Sequence, residues 1–451
     1  MFARGMLRRF DPRSAREALR LLGWWALLVP PVAVAAGSAA AFFLWSLEVV
    51  TRLRFDHAWL LWLLPVAGIL IVWAYHRHGG ASDRGNNLII DEIHEPGGGV
   101  PLRMTPLVLA GTLLTHLTGG SAGREGTAVQ MGGSLADAFH RLARVPTEHR
   151  RMLLMAGVAA GFGAVFGTPL AGAVFALEVL AIGRLRGESL VPCLLAAVLG
   201  DLTCQAWGAL SGVHHTGYVI AGQVESGGMI FGHTNPTNLI RAAVAGVAFG
   251  WCARLFAESV HGVGAACRRW IAAWWLRPVA GAAVVIGLVW LLDTRAYLGL
   301  GTWSPNPDDV TLTSLFTEGG GTPWSWWWKL VFTAVTLGVG FRGGEVTPLF
   351  FIGAALGHTL AGLLGLPVDL GAALGFVAVF AGATNTPLAC TLLGVELFGG
   401  EHAVLFAVAC FASYYCSGHT GIYAAQRIGT RKHGAGPVDV TLAQERNAPR
   451  R

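Results

Sequence analysis

Apolar segments interrupted by Gly and Pro constrain this chain more than any other feature of its sequence. Strongly apolar stretches run over 22–50, 58–76, 105–117, 152–166, 169–183, 189–208, 238–257, 277–292, 326–341, 346–365, 370–382, 386–398 and 403–416. Several are shorter than the ~20 residues an α-helix needs to cross a bilayer. A short or broken apolar helix is costly in lipid unless its exposed backbone lines a cavity enclosed by protein. Membrane transporters use such half-helices to aim N-terminal dipoles at an ion near the midplane. The breaks are therefore where chemistry is expected.

Composition agrees with an all-α integral membrane protein. Hydrophobic residues make up 53% of the 451 and charged ones 13%, against about 25% charged in a water-soluble domain. Sixty-two Gly and seventeen Trp suit close helix crossings and membrane interfaces. The first apolar run is not followed by a small-residue cleavage site and reads as a retained helix. Seven scattered Cys, without CxxC pairs, support neither a metal site nor a disulfide framework, and no cofactor is expected. The net charge of +6 lies mainly in the polar ends, as Arg4, Arg8, Arg9, Arg13, Arg16 and Arg20, then Arg427, Arg431 and Lys432. That placement is a topology signal rather than a nucleic-acid footprint, and it puts both termini in the cytoplasm.

Two breaks repeat. Thr168-Pro169-Leu170-Ala171 is matched by Thr386-Pro387-Leu388-Ala389, and each Pro is followed nine residues later by a glutamate, Glu178 or Glu396. Upstream of each lies a Gly-flanked acid: Gly123-Arg124-Glu125-Gly126-Thr127 in the first half and Gly343-Gly344-Glu345-Val346-Thr347-Pro348 in the second. Two homologous halves account for this, with boundaries expected at 21–215 and 216–433, an amphipathic helix on the inner leaflet over 1–20, and a polar, disordered tail over 434–451.

A carboxylate at a helix N-terminus is stabilised by free backbone N–H groups and the positive end of the dipole, the same features that bind a free anion there. Glu125 and a transported anion therefore compete for one set of donors. Protonation decides the competition, because a neutral Glu125 loses its charge-assisted hydrogen bonds and swings out. Glu345 meets the same test, and the Thr347 hydroxyl can donate to an anion or to a carboxylate. A third break, Arg84-Gly85-Asn86-Asn87, offers neutral amide donors, with Asn86 and Asn87 equal candidates. Tyr423 can donate its phenol from the cytoplasmic side.

These stretches together, in order and over roughly 25–430, resemble the CLC family of chloride channels and proton-coupled anion exchangers. Glu125 falls on the family's external gating glutamate and Tyr423 on its central tyrosine. The departures are concentrated: Gly85-Asn86-Asn87 stands where a serine loop is expected, Thr127 where Pro is expected, and Glu345 where Phe is expected. They are similar to the fluoride-specific branch, with its Gly-Arg-Glu-Gly-Thr and Gly-Glu-Val-Thr-Pro loops. The resemblance implies a fold of two inverted-topology repeats with tilted, broken and re-entrant helices, assembled as a homodimer with one pathway per subunit. It also implies gating and proton transfer by Glu125 and Glu345, and an anion surrounded by Asn86, Asn87, Gly123, Arg124, Gly126, Thr127, Val346, Thr347 and Tyr423. The inner proton-accepting glutamate of chloride exchangers is missing, since Val179 follows Glu178. The activity implied is fluoride export against proton entry across a bacterial inner membrane, conferring fluoride resistance; a chloride/proton antiporter or chloride channel is the alternative. Such an exporter has a purpose independent of any family: hydrogen fluoride crosses membranes when neutral, dissociates in the cytoplasm and leaves fluoride trapped.

Enzymatic activity is not expected. Gly119-Gly120-Ser121-Ala122-Gly123 matches a nucleophile-elbow pattern literally, but that pattern requires a strand-to-helix turn in a soluble sheet. A membrane scaffold would have no use for paired Gly-flanked acids at half-helix starts.

Overall fold

The computed structural model describes residues 12–212, 220 and 235–447. The expected boundary between the halves at 215 and 216 lies outside these residues. Helix α1 (Pro12–Asp56) is followed by α2 (Leu64–Ala74), α3 (Asn86–His94), α4 (Met104–Leu117), α5 (Glu125–Leu142), α6 (Arg150–Phe166), α7 (Pro169–Glu178) and α8 (Leu190–Ser211). The second half contains α9 (Pro236–Trp270), α10 (Leu276–Leu292), α11 (Ser325–Gly338), α12 (Val346–Leu364), α13 (Val368–Thr384), α14 (Pro387–Phe398), α15 (Ala403–Cys416) and the short α16 (Leu442–Asn447). The described strands are β1 (Ala181–Ile182) and β2 (Arg427–Ile428), paired in parallel. Five segments of the described chain are long and apolar enough to cross a membrane, while α4, α7, α10, α13 and α14 are shorter apolar helices.

The repeat seen in the sequence is repeated in the backbone. Helix α6 stops at Gly167 (φ 70°) and α13 at Asn385 (φ 60°), both left-handed, a conformation that Gly and Asn tolerate best at a helix end. Thr168 or Thr386 then precedes a Pro at the first helical position, where its missing N–H costs nothing. The eighth residues of α5 and α6, Gly132 and Gly157, touch so closely that a Cβ on Gly132 would stand 2.1 Å from the Gly157 carbonyl. The eighth residues of α12 and α13, Gly353 and Gly375, make the same contact at the same 2.1 Å.

The two halves hold each other through exchanged carboxylates. Glu178, ending α7, accepts from the N–H groups of Leu388 and Ala389 at 3.1 and 2.8 Å. Glu396, near the end of α14, accepts from Leu170 and Ala171 at 2.9 and 2.8 Å. Each short helix has its free N-terminal donors satisfied by the other half's acid. Such reciprocity, with residue i meeting j and j meeting i, is the mark of a two-fold relation.

Both ends of the chain depart from expectation. Helix α1 is continuous from Pro12, so 12–20 run straight into the apolar stretch rather than forming a separate helix; residues 1–11 lie outside the described part. The tail is folded where a disordered one was expected. Ile428 donates to Val440 (2.8 Å), Asp439 to Ile428 (2.7 Å) and Leu442 to Gln426 (2.9 Å), and Leu442 is buried. Arg431 grips Glu445 and holds that carboxyl below its usual range. Polarity suggested disorder, but these residues supply backbone partners to a segment that ends inside the protein.

Replacing Glu178 by Gln turns one of its two acceptors into a donor facing N–H groups, a loss of about 1.5–3 kcal/mol for a charged hydrogen bond. The thermal midpoint of the detergent-purified protein, followed by Trp fluorescence, should fall by a few degrees in Glu178→Gln and again when Glu396→Gln is added. An unchanged midpoint in both would show that the exchanged carboxylates do not hold the halves.

Candidate functional site

The loops before α5 and α12 meet at the centre of the molecule. Gly123 and Gly344 form an isolated antiparallel bridge, Gly123 N–H donating at 2.5 Å and Gly344 N–H at 2.8 Å. Glycine is required here: a Cβ on Gly123 would lie 2.9 Å from the Gly344 carbonyl and 3.0 Å from the Thr347 nitrogen. The bridge also corrects the register read from sequence. Helix α5 begins two residues after Gly123, at Glu125, and α12 two after Gly344, at Val346. Glu345 is thus the counterpart of Arg124, and Val346 that of Glu125.

Glu125 is 1% exposed, and its carboxylate reaches across to the other half's helix start. The Thr347 N–H donates to Oε2 at 3.0 Å, and the Thr347 hydroxyl lies 2.8 Å from Oε1 and 2.6 Å from Oε2. Arg124 adds its backbone N–H at 3.2 Å and its guanidinium at 3.3 Å. The expectation that Glu125 sits among helix-terminal donors is met, but those donors belong chiefly to α12.

Gly126, the next residue, has no side chain to keep others away. A Cβ there would stand 3.2 Å from Asn86 Nδ2 and 3.7 Å from Glu345 Oε2. Asn86 Oδ1 is buried with no protein hydrogen-bond partner. The two asparagines differ: Asn87 Oδ1 accepts from the Ala425 N–H at 2.9 Å, tying α3 to the segment that carries Tyr423. Tyr423 is 3% exposed and lies within the electrostatic reach of both Glu345 and Glu125.

Asn86, Asn87, Glu345 and Tyr423 share a cavity of about 320 Å³ with Gln130, His261, Arg84, Arg268 and Arg342. Arg342 pairs with Asp83 and lies over the Tyr75 ring. Glu125 lines a void of about 10 Å³ together with Phe166, Phe350, Phe376, Leu397, Arg124 and Thr347. The Phe350 and Phe376 rings stack at 3.9 Å. The larger cavity reaches Glu345, while Glu125 lines the separate, smaller void with the phenylalanines.

One expected residue, Thr127, has its hydroxyl engaged elsewhere, as does Ser121 of the rejected nucleophile pattern. The Thr127 hydroxyl pairs with Thr112 at 2.8 Å, bracing α5 against α4. Ser121 Oγ pairs with Thr333 at 2.9 Å, and its N–H meets Thr336, so it has no His or carboxylate partner among the described residues. Glu178 is fully engaged as a helix cap. Among the described residues no group of three or more His, Cys, Asp and Glu is placed to hold a metal. Sequence reasoning missed Gln130, His261, Arg268 and Arg342; only Arg342, next to the Gly343-Gly344-Glu345 turn, carried a local signal.

A family model described as voltage gated chloride channel matches residues 67–418. This chain belongs to the CLC family of anion transporters. It is 50% identical, over 95% of its own length and 92% of the relative's, to a chloride/fluoride channel protein of Pseudomonas syringae pv. tomato. A crystal structure of a CLC-type fluoride/proton antiporter superposes with TM-score 0.83 at 35% identity, over 90% of this chain and 98% of that one. A slow cyanobacterial chloride/proton antiporter gives TM-score 0.69 at 18% identity, over 87% of this chain and 93% of the other, and shares the fold. The match to these structures extends to the inverted repeats and broken helices of a CLC membrane protein.

Losing a hydrogen bond to a charged group costs about 1.5–3 kcal/mol, so Thr347→Val should change halide efflux from proteoliposomes by at least about tenfold. Thr127→Val, whose hydroxyl faces Thr112, should leave efflux within about twofold. Equal effects of the two would remove Thr347 from the pathway.

Proposed function

We propose that this CLC transporter carries fluoride out of the cell in exchange for protons, and that Glu125 is both its gate and a proton carrier. The observation that carries the reading is the hold of the Thr347 N–H and hydroxyl on the Glu125 carboxylate. Those donors suit a small anion equally well, and the carboxylate must leave before one can bind. Protonation removes the charge that makes the Thr347 bonds strong, and the vacated donors accept fluoride. Fluoride is compact and strongly hydrated, so its water must be replaced by close, strong donors rather than by a wide apolar site.

Glu345 and Asn86 on either side of Gly126 supply the remaining parts. Glu345 faces the cavity and can pass a proton between the arginine-lined mouth and Glu125, standing in for the inner glutamate whose place Val179 takes. Asn86 offers amide hydrogens to an anion entering from that mouth. The mouth is assigned to the cytoplasm on the positive-inside distribution, with both termini on that side of a bacterial inner membrane. Arg84, Arg268 and Arg342 there raise the local concentration of anions. The chain is read as a homodimer with one pathway in each subunit, as the family resemblance implies. A transporter moves its cargo unchanged, so no enzymatic step is assigned. Chloride/proton antiport or passive chloride flow is the second reading, favoured by the match to the chloride-channel family model.

Proteoliposomes loaded with fluoride or chloride, with external pH followed as the anion leaves, test the proposal: fluoride efflux should draw protons inward and chloride efflux should be slower. Chloride passing as readily as fluoride, or fluoride leaving with no pH change, would overturn it. Glu125→Gln should abolish proton uptake while some anion movement persists. Asn86→Ser should narrow the preference for fluoride over chloride more than Asn87→Ser, whose native side chain is tied to Ala425.

A further inference from the structure

Three basic side chains are buried around one glycine. Lys329, in the first turns of α11, is 0% exposed. Its Nζ donates to the carbonyls of Tyr297 at 3.1 Å and Gly299 at 2.7 Å and lies over the Phe351 ring. Arg54, near the end of α1, is 8% exposed, and its Nε–H has no protein acceptor. His116, near the end of α4, is 1% exposed, with its ring close to the Gly123 backbone. A Cβ on Gly299 (φ +58°) would lie 3.2 Å from Arg54 Nη2 and 3.5 Å from His116 Nδ1, so all three groups converge there.

No carboxylate forms an ion pair with Arg54 or Lys329 among the described residues. The acid with an electrostatic influence on Arg54 is Asp309, opposed by Arg295, and Asp309 is engaged by Ser304 and Asn306. Removing a cation from water costs several kcal/mol unless a partner replaces the water. Arg54 and Lys329, buried beside one glycine with no carboxylate partner among the described residues, suit a small anion that would offset that cost.

The position is equally informative. Lys329 lies eight residues before Leu337 on α11, roughly 12 Å along the helix axis, and Leu337 borders the arginine-lined cavity. His116 lies nine residues before Glu125, so the loop between α4 and α5 runs from the cluster to Glu125. The cluster therefore stands apart from that cavity.

We infer that Arg54, His116 and Lys329 form a second, buried halide site, separate from the one at Glu125. The inference rests on the anion-transport reading above.

Isothermal titration of the full-length protein in detergent, with sodium fluoride and separately with sodium chloride, tests this in a Thr347→Val background that disables the gate site. Halide binding should remain in Thr347→Val, weaken at least about tenfold on adding Lys329→Met or Arg54→Gln, and persist with Lys329→Arg. Gel filtration identical to Thr347→Val identifies folded variants, and Arg54→Gln decides the matter if Lys329→Met does not fold. No binding in Thr347→Val, or binding undiminished in the Lys329 and Arg54 variants, would overturn the site. Binding of chloride in place of fluoride at these residues supports the site while removing the fluoride reading, so the two fail separately.

Discussion

The Gly123–Gly344 bridge is the contact on which the rest of the molecule depends. It brings the first turns of two helices from opposite halves to one point, so that free N–H groups of both face a common space. Their partial positive charges need an acceptor, and burying them without one would be expensive. Glu125 is that acceptor. Its carboxylate is held by Thr347 of the opposite half, which makes this contact a property of the junction rather than of either repeat. Gly126 and Gly344 keep the junction narrow, since side chains at these positions would push Asn86, Glu345 or the α5 backbone aside.

The same device, an acid of one half capping a helix of the other, is used three times with different consequences. Glu178 and Glu396 each accept two backbone N–H groups, donors fixed in direction by their helices. Their caps are static and bind the halves together. Glu125 accepts one N–H from α12 together with a hydroxyl and the groups of Arg124. A hydroxyl can turn towards another acceptor and a guanidinium can move on its chain, and on the proposed reading this lets the cap be exchanged for an ion.

Much of this was legible in the chain. The Thr-Pro-Leu-Ala breaks, their following glutamates and the Gly-flanked acids showed two related halves, because left-handed helix ends, N1 prolines and close crossings each demand particular residues. Glu125, Thr347, Glu345 and Asn86 were recognisable as candidates for the same reason. What was misread followed from distance in space. Aligning Glu125 with Glu345 was natural by residue type, yet the backbone bridge shifts the register by one. That the Thr127 hydroxyl meets Thr112 of α4, and the Asn87 side-chain oxygen the Ala425 N–H, is decided by residues in other segments of the chain. The tail looked disordered because its polar residues find their partners only where β2 enters the interior. Lys329 was visible as a single charge within the apolar stretch 326–341, and such residues are mostly functional; Arg54 and His116 gave no comparable signal.

The sequence alone determined that this chain lies in a membrane, that it is built twice over, and that its polar chemistry is concentrated at the helix breaks. Those properties follow from composition, spacing and local backbone preference, which act over a few residues at a time. Tertiary structure decided which donors each acid meets, which hydroxyls are spent on packing, and which buried basic side chains lie together. Such choices depend on groups that lie far apart along the chain, and they become fixed only when the two halves close on each other.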